Sequence, residues 1–261
     1  MSRKIGAVIK QQLLSELQTF RREFDRQAIP QDELIHTTRV TIKRLRAVLA
    51  LVKKEIGGAR YRSDTLVAKA LAKHLAGSRD ASVAVETLTG LLRQQKAPTL
   101  PLRQLLGLME AAAQKSVAAL DRVQIAWMLN ELLQSLQEWH LERFGNKQVL
   151  QRMDKLFIRA QSHYRLALTQ GTLQSYHTWR KHHKRYYLLL ELLQQSDKQT
   201  RKAYKKLGSL LGKLHDLQVL NQWVATQWPA LLPELKTLTD PAQQQLLEEI
   251  RQRAERLYRI T

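Results

Sequence analysis

Apolar residues recur along most of the chain at steps of three and four. Ile9, Leu13, Leu17, Phe20 and Phe24 form one such stripe, which predicts a helix from about Lys4 to Gln27. Pro30, Asp32 and Glu33 mark the start of the next helix, with proline in the first turn and acids at the positive dipole end. That helix runs to Gly57-Gly58 and buries Ile42, Leu45, Val48, Leu49 and Val52. The same pattern predicts helices at Ser63–Ala76, from Asp80 through Leu92, at Leu102–Ala119 and at Asp121–Arg143. Further helices follow at Lys147–Thr169, with Leu150, Met153, Phe157 and Tyr164 inward, at Leu173–Gln194 and at Thr200–Leu211. A small-residue break at Leu211–Asp216 precedes a helical stretch to Trp228, Pro229 and Pro233 mark a loop, and a last helix spans Asp240–Arg259. Alternating strand patterns are absent, so the expected fold class is all-α.

The second helix has an unusual polar face. At about 100° per residue, His36, Arg39, Lys43 and Arg46 share a strip roughly 80° wide, opposite the apolar face, and only Arg44 leaves it. Like charges at these spacings repel by a few tenths of a kcal/mol per pair. A helix shaped for solubility alone would mix glutamate among them, so the strip points to an anionic ligand.

Composition widens that expectation to the whole chain. Its 261 residues carry 43 Lys and Arg against 23 Asp and Glu, a formal net charge of +20, which points to nucleic acid, anionic lipid or chains of phosphate. The length allows one large domain or two small ones. There is no cysteine, which excludes a disulfide framework, a thiolate metal site and a cysteine nucleophile. No apolar run reaches membrane-spanning length, and Met1–Gly6 has no apolar signal core. A cytoplasmic protein without a membrane partner is expected.

The basic strip occurs twice. His36-Thr-Thr-Arg39-Val-Thr-Ile-Lys43-Arg44 aligns with His177-Thr-Trp-Arg180-Lys-His-His-Lys184-Arg185. Downstream of each lies a small-residue break ending in Asp, Leu75–Asp80 and Leu211–Asp216. The shared order predicts a duplicated unit, with halves at 1–144 and 145–261 whose basic helices face a common cleft. Tyr187 stands where the first strip has Arg46, so the first half should contribute more of the binding.

The doubled His-x-x-Arg-x-x-x-Lys-Arg pattern with its Asp turns resembles the CHAD family, the conserved histidine α-helical domain, across nearly the whole chain. The resemblance implies two four-helix bundles around a basic central surface or pore that binds inorganic polyphosphate. It implies a stand-alone member, because the strands and acidic alternation of an added triphosphate-tunnel domain are missing. The expected ligand-binding residues are His36, Arg39, Lys43, Arg44, Arg46, His177, Arg180, Lys181, Lys184 and Arg185. Arg22, Lys73, Lys115, Arg159, Lys206 and Arg253 are secondary candidates for the same surface. Association with polyphosphate granules is the corresponding expectation for location.

The chemistry of these residue types fits phosphate. Arginine offers a planar fork to phosphate oxygens and lysine a mobile point charge. Histidine donates from either ring nitrogen, and a neighbouring phosphate favours its charged form. The competing reading makes His36 and His177 satisfied core histidines. His182 and His183 lie at the edges of the apolar stripe and read as packing residues. The histidines lack the carboxylate spacing of a zinc site, so no metal and no cofactor is expected.

Asp80 and Asp216 read as structural residues that cap a helix or pair with a neighbouring cation. No carboxylate pair for two-metal hydrolysis and no Gly-rich phosphate loop is present, so no catalytic residue and no enzymatic activity is expected. Among the tryptophans, Trp179 alone lies between His177 and Arg180, where it would stack a base if the surface served nucleic acid. Nucleic acid is therefore the alternative ligand. A scaffold that brings a polyphosphate-metabolising protein to its substrate is the alternative role.

Overall fold

A computed structural model of the chain describes residues 5–26, 31–75, 79–115 and 121–258, with the side chains of 31–36, 79 and 80 left outside the description. The described residues form ten α-helices and no strand. In order these are α1 (Ile5–Arg26), α2 (Gln31–Ile56), α3 (Gly58–His74), α4 (Arg79–Leu92), α5 (Leu100–Lys115) and α6 (Arg122–Gln137), then α7 (Asn146–Gln170), α8 (Leu173–Leu193), α9 (Lys198–Gln227) and α10 (Leu232–Tyr258). Gly57, at φ +83°, and Gly171, at φ +61°, make the tight links before α3 and α8, where an L side chain would be strained. No helix among the described residues is long and apolar enough to cross a membrane.

The helices divide into two units. The first holds residues 1–75, 120–160 and 182–197, and the second 76–119, 161–181 and 198–261. In the first, α1 packs on α2, α2 on α3, α3 on α6 and α6 back on α1. The predicted stripes Ile9–Phe24 and Ile42–Val52 are its core, each residue at most 2% exposed. Each such side chain contributes roughly 1.5–3 kcal/mol by leaving water.

In the second unit α4 packs on α5, α5 on α10, α10 on α9 and α9 back on α4. Ala84, Leu88 and Leu92 meet Leu102, Leu105 and Met109 here, and Leu220, Val224 and Leu235 complete the cluster. The units therefore do not follow the sequence halves 1–144 and 145–261. Helices α4 and α5 find their apolar complement on α9 and α10, while α7 and α8 each contribute residues to both units.

Several boundaries differ from those expected. The break at Leu211–Asp216 does not exist, because α9 runs unbroken through it. One glycine in a helix interior costs only about 1 kcal/mol. Burial of Leu207, Leu210 and Leu211 before it, and of Leu214, Leu217 and Leu220 after it, outweighs that cost. Asp216 is consequently an interior residue of α9 and does not stand at a helix start. The small residues 76–78 of the matching break lie outside the described residues, and Arg79 and Asp80 are already helical.

Helix α10 begins eight residues earlier than Asp240, straight after a 3-10 turn at Pro229–Leu231, and carries Pro241 inside it. Pro233 falls in its first turn, where a missing N–H is tolerated. Helix α6 ends at Gln137 instead of continuing to Arg143. Lys10 Nζ donates to the carbonyls of Gln137 and Trp139 at 2.7 and 2.9 Å, a cation at the negative end of the helix. The chain then turns inward, burying Trp139, Leu141 and Phe144. On α7, Leu150 is 52% exposed and its neighbour Val149 takes the inward position.

Candidate functional site

In the first unit, α2 carries the first cationic strip. Its apolar side is fully packed, so Lys43 and Arg46 are held half-buried on the other side. The backbone of His36 lies on α2, and its side chain is outside the described residues. Arg39 Nη1 donates to the carbonyl of Leu75 at 3.3 Å, so this cation helps finish α3. Arg44 takes a different role from its neighbours. It bonds Glu16 at 2.6 Å and reaches within 3.8 Å of Glu191, and that ion pair cancels its charge locally.

The C-terminal part of α8 enters the same unit. Tyr187, at the position matching Arg46, is 9% exposed and donates its hydroxyl to Glu191 at 2.9 Å. Burial, then the bond to Glu191 and its charge, pushes the phenol up to about 12, so it stays neutral. Arg185 of the same helix has Tyr61, Arg46 and Arg159 around it. Burial, and after it the like charges of Arg46 and Arg159, holds its guanidinium below the usual value, while Tyr61 acts in the opposite sense. Three arginines from α2, α7 and α8 thus share one environment at a cost in repulsion. Arg159 was a secondary candidate in sequence, and this grouping places it with Arg46 and Arg185.

In the second unit, the N-terminal part of α8 carries His177, Arg180 and Lys181. Trp179, between them, is fully buried, with ring centroids 4.8, 6.0 and 6.2 Å from Tyr164, Tyr176 and Tyr258. It is a core residue and stacks no base. His183, farther along α8 in the first unit, is also fully buried and packs as its helical angle suggested.

His177 meets His215 of α9, Nδ1 to Nδ1 at 3.2 Å with centroids 4.5 Å apart. One ring must carry hydrogen on Nδ1 and donate, and the other accepts. The accepting ring then holds its hydrogen on Nε2. Burial, followed by the charges of Lys181 and Arg180, lowers the pKa of His177. Burial, then Arg180, His177 and Lys181, lowers that of His215 to about 4. Both imidazoles are therefore neutral near pH 7, where the sequence suggested a cation at His177. The crevice they line with Leu211, Leu214 and Gln218 measures ≈ 10 Å³, at the lower limit for one water and too small for phosphate. His215 was not among the candidates from sequence because it sat in a supposed turn. As part of a helix, it lies one turn from Leu211, on the face toward His177.

Burial also holds Arg180 below its usual pKa, and Asp216 pulls it back up. The Nε of Arg180 is buried without a hydrogen-bond partner among the described residues. Asp216 also lines a cavity of ≈ 390 Å³ with Lys206 and Lys213. The remaining candidates are scattered. Lys73 and Lys115 are exposed, Arg22 bonds Thr19 at 3.2 Å, and Arg253 pairs with Glu249 at 2.8 Å. Among the described residues no three metal-ligating side chains gather into a cluster.

The family model of the CHAD domain matches residues 11–225. No curated protein and no solved structure matches the chain.

Proposed function

Because the chain belongs to the CHAD family, which is linked to polyphosphate binding, we propose that it binds inorganic polyphosphate without transforming it. The observation that carries this reading is the group Arg46, Arg159 and Arg185. Like charges drawn together, with Arg46 and Arg185 half-buried and Arg159 exposed, lower the stability of the free protein, and a phosphate chain removes that repulsion on binding. Guanidinium groups suit it, since each offers paired N–H donors to phosphate oxygens. Lys43 and Lys184 add point charges, and Arg180 and Lys181 form the second group.

The internal duplication belongs to the same proposal. A polyanion long enough to engage both groups gains in effective concentration over a short one. The first strip carries more of the binding, because buried Tyr187 replaces a cation in the second. Arg44 stands apart, with its charge met by Glu16. The protein acts in the cytoplasm at polyphosphate granules, where it also meets polyphosphate-metabolising proteins.

Titration of polyphosphates of increasing length over a range of salt concentration tests this. Affinity should rise with length and fall with salt, by about one counterion per neutralised phosphate. Arg46→Gln/Arg185→Gln should bind at least about tenfold more weakly, since each charged hydrogen bond to phosphate is worth about 1.5–3 kcal/mol. An Arg39→Ala/Arg180→Ala variant examines the remaining strip positions. Long polyphosphate binding no better than orthophosphate would sink the proposal. An oligonucleotide that polyphosphate fails to displace would favour nucleic acid instead.

A further inference from the structure

Helix α9 carries a cationic surface that the paired strips do not include. Lys198, Lys202, Lys205, Lys206 and Lys213 are all exposed, and Asp216 is the only acid in the helix. At about 100° per residue these lysines and Asp216 fall within about 100° of one another. They make a row about 22 Å long from Lys198 to Lys213. None of these lysines has a hydrogen-bond or ion-pair partner among the described residues.

This arrangement is unfavourable in the free protein. Lys202 stands one turn from Lys198, Lys205 and Lys206, where like charges repel. Lys198 and Arg201 occupy the first turn, at the positive end of the helix dipole, and no acid offsets them within that turn. Helix α10, packed on α9, keeps its own surface soluble differently. There Glu248 pairs with Arg251 and Glu249 with Arg253. Solubility therefore does not call for an unmixed lysine row, and an anion bound along it would relieve both costs.

The row leads to the second cationic group. Asp216, at its C-terminal end, is the charge partner of Arg180. Asp216 also shares the cavity of ≈ 390 Å³ with Lys206 and Lys213. Across that cavity stand Glu86 and Glu249, and neither is bonded to a lysine of the row. Glu249 is taken by Arg253 at 2.8 Å, and Glu86 is exposed. Arg180, Lys181 and the whole of α9 belong to the second unit. Resting on the polyphosphate reading above, we propose that the α9 lysines hold the continuation of a phosphate chain already engaged at Arg180 and Lys181, and so select long polyphosphate over short. Lysine suits that role, because a point charge on a flexible stem follows a mobile polyanion without demanding one geometry.

The test compares the parent with Lys202→Gln/Lys205→Gln/Lys206→Gln, titrating long-chain polyphosphate and tripolyphosphate at several salt concentrations. Long-chain affinity should fall about tenfold, from a few-fold for each exposed charge contact. The slope of log affinity against log salt should become shallower by about 2. Tripolyphosphate, held at the arginine groups, should change by less than about twofold. Thermal stability should not fall, since only exposed, mutually repelling charges are removed. Lys69→Gln/Lys147→Gln/Lys236→Gln removes the same net charge from exposed positions elsewhere, and should bind long chains within about twofold of the parent. A parent that binds no polyphosphate overturns the functional reading and this proposal with it. A parent that binds while the α9 variant matches it overturns the lysine row alone. Equal losses for long and short chains, or equal losses in the two triple variants, would also overturn it. A variant that loses an oligonucleotide but keeps long polyphosphate would give the row to nucleic acid instead.

Discussion

The His177–His215 pair makes the chain acid-sensitive in a way that can be worked out from its geometry. An imidazole buried neutral resists protonation in the folded state but not in the unfolded chain. For His215 the unfolded value is near 6.5 and the folded value about 4. Between these values the unfolded chain holds more protons, so stability falls as pH falls. Above 6.5 the group contributes no pH dependence, and below about 4 the loss is complete. The full loss is about 3 kcal/mol at 1.36 kcal/mol per pKa unit. At about pH 5 it amounts to about 2 kcal/mol. The lowered pKa of His177 acts in the same direction. The two do not simply add, because a second proton would set two N–H groups against each other across 3.2 Å. Urea unfolding of the parent and of His215→Gln, from about pH 7 to about pH 5, measures the effect. The variant keeps a polar side chain but cannot titrate, so its stability should fall by about 2 kcal/mol less over that range. Equal pH dependence in the two proteins would refute the neutral, buried pair.

Three further predictions concern the frame that holds the site. Gly212→Ala should raise stability by about 0.5–1 kcal/mol by thermal unfolding, since α9 is continuous there and an added Cβ meets nothing within 4 Å; destabilisation would restore the turn. Gly6→Ala should cost more than about 2 kcal/mol, because its Cβ would fall 2.1 Å from the Leu141 carbonyl oxygen, and unchanged stability would contradict that close approach. Arg152→Ala should cost about 2–3 kcal/mol in chemical denaturation, since Arg152 bonds Glu55 bidentately and the Leu51 carbonyl, and Glu55 would be left half-buried without its partner. A loss below about 0.5 kcal/mol would show that pair to be an ordinary surface bridge.

Much of this molecule could be read from local patterns. The α1 and α2 stripes became core residue for residue, and the strip from Arg39 to Arg46 was visible because a helix angle depends only on spacing. The errors have one cause. At Leu211–Asp216 a glycine and an aspartate signalled a break, but long-range burial on both sides held the helix. At Leu150 the periodicity was right to within one residue, and packing chose Val149. Trp179 read as a surface aromatic because its neighbours His177 and Arg180 are polar, yet Tyr164 and Tyr258, from distant segments, enclose it. Arg44 looked like one more cation until Glu16 and Glu191 were placed beside it.

The sequence by itself therefore determined the all-α class, most helix positions, the inward faces, the surplus of positive charge and its concentration on two helices. Those are properties of residues a few positions apart. Tertiary structure decided that α4 and α5 complete their core with α9 and α10, that His177 faces His215 and is neutral, and that Arg159 joins Arg46 and Arg185. Such pairings depend on which apolar faces fit and which charges meet across distant segments, and helical periodicity repeats every turn without naming a partner.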